Sequence, residues 1–131
     1  MGIEMRMAGL LFAGIFLLGP KADASGWNLG KKSEARKFAS TSKAPLSKGE
    51  GDCLHLSANF PTLGAAVAWH SRRANVENQI DCQKTDRAWS CSASFVYNNK
   101  KESEREWALF LKFSVDEKTM EVHELRCDVA G

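Results

Sequence analysis

Four cysteines constrain the fold of this 131-residue chain more than any other feature of its sequence. They allow three pairings into two disulfides. Cys82 and Cys91 flank a polar stretch symmetrically, and a hairpin centred on Asp86-Arg87 sets them directly opposite each other, within reach of a disulfide bond. Cys53 and Cys127 then pair by elimination. Such a bond ties together both ends of the segment that carries most of the apolar residues.

A zinc site is the alternative use of the four cysteines. Cysteines that bind zinc usually come in pairs two to four residues apart, and the sequence has no such pair. An exported chain also enters an oxidising compartment, where disulfides form and persist. The sequence therefore favours disulfides, and it predicts neither a metal site nor a cofactor.

The first 24 residues have the pattern of a secretory signal peptide. The apolar run over 10–19 is shorter than the roughly 20 residues that span a bilayer. Arg6 precedes this run, and Ala22 and Ala24 are the small residues that signal peptidase reads. We expect cleavage before Ser25 and a mature chain that is secreted or periplasmic, without a membrane span. A buried N-terminal helix is the alternative.

Residues 25–52 are expected to form a flexible basic leader. They hold six lysines and arginines against three acidic residues, and they are rich in Ser, Gly and Lys. Large apolar residues such as Trp27, Leu29 and Phe38 are too few to offset the entropy of ordering the segment. The alternative is a basic arm that contacts an acidic partner or an anionic surface. Trp27, with no evident core to enter, is a candidate for partner contact.

Residues 53–131 are predicted to form a single α+β domain. Alternating apolar residues predict a strand over 53–60, and Thr62 can cap a helix that runs from Leu63 to Ala74. A strand over 65–71 is the alternative, because Gly64 weakens the helix start. Further alternation predicts strands over 76–84, 89–97, 107–115 and 120–127. The expected architecture is β-α-β-β-β-β: one helix packed on a four- to five-stranded antiparallel sheet, stapled by the disulfides.

This order of elements is similar to the cystatin-like arrangement, in which a curved antiparallel sheet wraps one helix. The resemblance is topological. The Gln-x-Val-x-Gly hairpin loop of cystatins is absent from the sequence, so the resemblance does not imply protease inhibition. Several small bacterial envelope proteins, some of them immunity proteins or inhibitors, look broadly similar as well.

Two of the three histidines form the most specific candidate for chemistry. If Cys53 and Cys127 face each other on adjacent antiparallel strands, His55 and His123 become diagonal neighbours within reach of one metal ion. A one-residue slip in register would move one of them to the other face of the sheet. The third, His70, lies on the apolar side of the predicted helix, where a hydrogen-bonded core or boundary histidine is typical.

Other catalytic patterns are weak. Ser90, Ser92 and Ser94 form a hydroxyl row, which is typical of the solvated face of a sheet, and no Gly-x-Ser-x-Gly elbow is present. The net charge of +2 is too balanced for a dedicated nucleic-acid binder. The sequence therefore predicts no catalytic residue, and we expect a protein that is not an enzyme.

The expected function is stoichiometric binding of another protein, as an inhibitor or immunity protein of the cell envelope. The candidate contacts are at hairpin tips, where Arg87 offers a planar fork to a carboxylate and Lys100 and Lys101 offer point charges. One alternative is a secreted hydrolase or metal-handling protein that uses His55 and His123. Another is a structural accessory of an envelope complex.

Overall fold

The computed structural model describes residues 26–73, 76–99 and 105–131. The predicted signal peptide, its cleavage before Ser25, and the loop residues Lys100 and Lys101 lie outside these ranges. Within them, no helix is both long enough and apolar enough to cross a membrane.

A five-stranded sheet forms the centre of the molecule, with the strand order β1-β5-β4-β3-β2. Strands β2 to β5 are antiparallel neighbours, whereas the two-residue β1 runs parallel to β5. The strands are β1 (Glu50–Gly51), β2 (Val76–Lys84), β3 (Ala88–Asn99), β4 (Arg105–Asp116) and β5 (Val122–Ala130). The helices of the described residues are α1 (Lys32–Thr41), a 3-10 helix (Leu46–Lys48), α2 (Cys53–Leu56) and α3 (Leu63–Ser71). The α+β fold class is confirmed.

The predicted hairpin register is also confirmed. Cys82 lies opposite Cys91, and Lys84 lies opposite Trp89. Both expected disulfides are present, one between Cys82 and Cys91 and one that joins Cys53 to Cys127. Short-range alternation and a polar turn were sufficient here because both strands of the hairpin are neighbours along the chain.

The predicted strand over 53–60 is wrong. Residues 53–56 form α2, and turns follow it. The apolar residues Cys53, Leu56 and Phe60 lie at helical spacing and face the protein, whereas Leu54 is 66% exposed. The fifth strand is instead β1, directly before α2. It is followed by Asp52, whose carboxylate accepts a hydrogen bond from the backbone N–H of Val129.

The expected flexible leader is also corrected by the structure. Ala35, Phe38 and Ala39 lie at i, i+3 and i+4 on α1, and all three are buried in the core. Leu29 and Leu46, on either side of the helix, are fully buried too. Trp27, expected to contact a partner, is half-buried and packs edge-on against Phe38. Residues 27–48 therefore belong to the folded domain.

The helices cover one face of the sheet. Alternate residues of the strands, including Ile80, Ala93, Leu111 and Phe113, point into this core. The hydroxyl row of β3 lies on the opposite, uncovered face, where Ser90 and Ser92 are exposed and Ser94 is half-buried. These serines belong to a solvated sheet face, as their pattern predicted.

Candidate functional site

An aromatic cluster lies where the end of α3 packs against β3 and β4. We define it by six rings: Phe60, Trp69, His70, Phe95, Tyr97 and Trp107. Tyr97 and Trp107 are opposite each other in the sheet register, and their rings stack with centroids 4.3 Å apart and planes 7° from parallel. The cluster thus joins α3 to the neighbouring strands β3 and β4.

The start of α3 determines where its two cluster residues, Trp69 and His70, lie relative to the sheet. The Thr62 hydroxyl accepts a hydrogen bond from the backbone N–H of Ala65, as expected for the predicted N-cap. Counted from this cap, Trp69 and His70 fall in the last turn, above the sheet. His70 points inward and is 3% exposed, whereas Trp69 lies at the edge and is 42% exposed.

His70 is at the centre of the cluster. Its Nδ1 shares a hydrogen bond with the hydroxyl of Tyr97, and its ring centroid lies 5.5 Å from that of Phe95 and 6.1 Å from that of Trp107. Its Nε2 is buried and has no hydrogen-bond partner within the described residues. The prediction of a hydrogen-bonded core or boundary histidine is confirmed.

Burial controls the protonation of both polar members of the cluster. Burial lowers the pKa of His70 below its ordinary value of 6.5, and the nearby positive charge of Arg73 lowers it further. Burial raises the pKa of the Tyr97 hydroxyl above 10.0, with Arg73 acting in the opposite direction. The hydrogen-bonded pair is therefore held in its uncharged form at neutral pH.

The solvent side of the cluster presents aromatic rings and a cation. Trp69 and Trp107 are 42% and 38% exposed, and the guanidinium carbon of Arg73 lies 4.0 Å from the ring centroid of Trp69. This distance is typical of a cation–π contact. In the part of the chain that the structure describes, Arg73 has no ion pair with a carboxylate. We call the exposed group of Trp69, Arg73 and Trp107 the tryptophan surface.

The histidine pair considered from the sequence loses its basis. It depended on adjacent antiparallel strands at Cys53 and Cys127, but residues 53–56 are helical. His123 instead lies on β5 with its Nε2 3.6 Å from the carboxylate of Glu121. Across the described ranges, no group of three or more His, Cys, Asp or Glu side chains is placed to hold a metal ion.

Of the candidate contacts at hairpin tips, the structure describes the one at Arg87. Arg87 is exposed in the β2–β3 turn, and its carbonyl accepts a hydrogen bond from the backbone N–H of Glu117 in the β4–β5 turn. Lys100 and Lys101, outside the described residues, belong to the connection between β3 and β4. Strand β3 has 12 residues, so its two ends lie about 36 Å apart at 3.3 Å per residue. The candidate contact at Arg87 therefore lies far from the end of β3 that leads to Lys100 in the sequence.

The sequence analysis missed the tryptophan surface because local alternation does not show where the helix that covers the sheet ends. The alternation of β4 does place Trp107 on the covered face, but α3 ends there and leaves the ring partly open. The sequence signal was the run Trp69 to Arg73, in which an aromatic residue, a histidine and two arginines lie within five positions.

In comparisons with family models, curated proteins and solved structures, this chain matches none of them. The two disulfides indicate an oxidising, extracytoplasmic location.

Proposed function

We propose that this chain acts by stoichiometric binding of another protein through the tryptophan surface. The main support for the proposal is a pair of partly exposed indole rings. Trp69 packs against the buried ring of His70, and Trp107 stacks on the buried ring of Tyr97. Trp, Tyr and Arg are the residues that most often dominate binding energy in protein interfaces. Stacking on Tyr97 fixes the ring of Trp107 in advance, which lowers the entropy lost when a partner binds.

The partner's chemistry follows from the charges beside these rings. Arg73 lies over Trp69 and Arg72 is its exposed neighbour, so the edge of the surface is positively charged. A partner that presents an apolar side chain flanked by carboxylates matches this arrangement, since an arginine fork binds a carboxylate with two parallel hydrogen bonds. A basic partner surface would leave the guanidinium groups of Arg72 and Arg73 without a carboxylate to bind.

We also propose a cellular location for this chain and a class of protein to which it belongs. An oxidising compartment and the predicted signal peptide over 1–24 together support a secreted or periplasmic protein. An inhibitor or immunity protein of the cell envelope is a class in which a small stapled domain acts by occupancy and not by turnover. The proposal therefore assigns no catalytic residue and no cofactor to this chain.

The tip at Arg87 is a second candidate contact. The Cys82–Cys91 disulfide closes the β2–β3 hairpin behind this tip and restrains its shape. The ion pair between Lys84 and Glu117, with a distance of 2.6 Å, further joins this hairpin to the neighbouring turn. Because Arg87 lies at the other end of β3 from Tyr97, the two candidate contacts can be tested separately.

Site-specific photo-crosslinking in the producing cells tests the proposal. A photoreactive phenylalanine analogue replaces Trp107 in one variant and Phe110 in a matched control, because both side chains are 38% exposed but lie on opposite faces of the sheet. We expect one discrete protein to crosslink in a 1:1 adduct from position 107 and not from position 110. We also expect Arg73→Glu to remove this adduct at unchanged thermal stability. Equal crosslinking from both positions, or none, would contradict the proposal.

A further inference from the structure

His70 holds together the elements that carry the tryptophan surface. Its ring contacts Trp69 on α3 and Trp107 on β4, with centroid distances of 4.9 and 6.1 Å. It also contacts Phe60, which precedes α3, at 5.5 Å and shares a hydrogen bond with Tyr97 on β3. Separation of His70 from the sheet would therefore move Trp69 away from Trp107.

The hydrogen bonds of this imidazole suit its neutral form. With its proton on Nδ1, neutral His70 donates to the Tyr97 oxygen and leaves Nε2 as a bare acceptor among aromatic rings. Protonation adds both an N–H group and a positive charge at Nε2, where the described residues offer no acceptor. A buried charge without a partner strongly disfavours the packed arrangement.

The neighbouring charged and titratable groups also disfavour protonation of His70. Arg73, at the end of α3, brings a like charge, and burial together with this charge lowers the pKa of His70. Tyr97 on β3 stays neutral because burial raises its pKa. The contacts from β4 and from the segment before α3 are the uncharged rings of Trp107 and Phe60. Among the side chains that the structure describes, the charged group that acts on the imidazole is Arg73, which disfavours the protonated form.

We propose that His70 is a proton-sensitive latch that closes the tryptophan surface at neutral pH and opens it in acid. In the open form, the end of α3 separates from β3 and β4, and the two indole rings no longer form one surface. The latch rests on the proposed function in one respect only, namely that Trp69 and Trp107 form the binding surface. A partner bound at neutral pH would therefore be released in a more acidic environment.

Proton linkage determines how strongly the ratio of open to closed molecules depends on pH. An imidazole exposed by opening has an ordinary pKa near 6.5, whereas the packed imidazole resists protonation. Each pH unit below 6.5 therefore shifts the ratio of open to closed molecules up to about tenfold toward the open form, until the packed form itself takes up the proton. Above pH 6.5 the ratio is independent of pH.

Tryptophan fluorescence of the full chain tests the latch without a partner. In a Trp27→Phe/Trp89→Phe background, the emission reports on Trp69 and Trp107 alone. Between pH 8 and pH 4.5 we expect a red shift and stronger acrylamide quenching, with a midpoint below pH 6.5. We expect the change to be absent in His70→Gln and to persist in the matched control His123→Gln. A flat profile in the parent protein, or an unchanged transition in His70→Gln, would overturn the proposal.

A second measurement covers the case in which His70→Gln does not fold. The imidazole of His70 can be titrated by NMR in the unmodified protein, where we expect an apparent pKa below its ordinary value of 6.5. Titration of His70 at or above pH 6.5 would overturn the latch. The two proposals fail separately, because a flat pH profile leaves crosslinking from position 107 intact. Conversely, loss of specific crosslinking at neutral pH leaves the fluorescence transition in place.

Discussion

Cys53 and Cys127 join the first turn of α2 to β5 across 74 positions of the chain. The backbone reinforces this connection, because Gly51 pairs with Cys127 and the N–H of Asp52 donates to the Cys127 carbonyl at 2.7 Å. The short strand β1 and helix α2 are thus attached to the edge of the sheet by both covalent and hydrogen bonds. Both elements are too short to be stable on their own.

Removal of this disulfide should destabilise the protein more than removal of the second one. In the chain-entropy model, the loop closed by Cys53 and Cys127 contributes about 4.5 kcal/mol to the free energy of unfolding, and the short loop closed by Cys82 and Cys91 about 2.7 kcal/mol. We expect the double variants Cys53→Ala/Cys127→Ala and Cys82→Ala/Cys91→Ala to lose stability in this order in urea denaturation. The reverse order would mean that α2 and β1 contribute little to the fold.

Helix α1 should contribute strongly to stability although its sequence is mostly polar. Phe38 is buried against Trp27 and the core, and truncation of a buried Phe to Ala typically costs about 3–5 kcal/mol. We therefore expect Phe38→Ala to lower the free energy of unfolding by an amount in this range. The neighbouring Lys37 is exposed, so Lys37→Ala should change it by less than about 0.5 kcal/mol. Similar values for the two variants would contradict the packing of α1.

The contrast between the β2–β3 hairpin and α1 shows which parts of the fold the sequence predicts. The hairpin depends on alternation, a turn and two cysteines that lie within about 25 residues, so all the relevant information is local. The packing of α1 depends instead on its close approach to α3, at Gly64, which lies more than 20 positions away. Residues 53–60 fit both a period of two and helical spacing, and neither the local pattern nor the pairing of Cys53 with Cys127 decides between them.

In the candidate site, too, some features follow from the local sequence and others depend on residues that are distant along the chain. The pattern around His70 predicted a hydrogen-bonded boundary histidine, because an isolated histidine on an apolar helix face usually needs one polar partner. The identity of that partner, Tyr97, depends on the pairing of α3 with β3, and the exposure of Trp107 depends on where α3 ends. Neither relationship is encoded by local periodicity.

The protein should lose stability in strong acid because the carboxylate of Asp116, in the β4–β5 turn, becomes protonated. Its carboxylate oxygen accepts hydrogen bonds from the backbone N–H groups of Lys118 and Thr119, both at 2.8 Å. The bond from Thr119 first, and that from Lys118 second, hold the pKa of Asp116 below its ordinary value of 3.8. Its contribution to stability is therefore present above pH 3.8 and is lost as the pH falls through the lower folded value.

Thermal unfolding of variants between pH 5 and pH 2 measures this contribution. We expect Asp116→Ala to be less stable than the parent protein at pH 5 and to lose less stability on acidification. Asp86→Ala is a matched control, because Asp86 is an exposed aspartate in the neighbouring β2–β3 turn. Parallel pH profiles for the parent protein and Asp116→Ala would show that the Asp116 carboxylate does not stabilise the turn.

Replacement of Gly64 by alanine should destabilise the protein, although alanine usually favours a helix more than glycine does. In an exposed helix interior, Gly→Ala stabilises by about 1 kcal/mol. Here a Cβ atom at position 64 would lie 2.5 Å from the carbonyl oxygen of Ser42 and 2.9 Å from that of Ser40, where α3 meets the end of α1. Both neighbours are backbone atoms, so the helices must move apart, and overpacking of this kind typically costs about 1–3 kcal/mol. We expect Gly64→Ala to lower the midpoint of thermal unfolding and Ala68→Gly to report the plain helix preference in the same helix. A rise in stability for Gly64→Ala would show that α1 and α3 are not in close contact at this point.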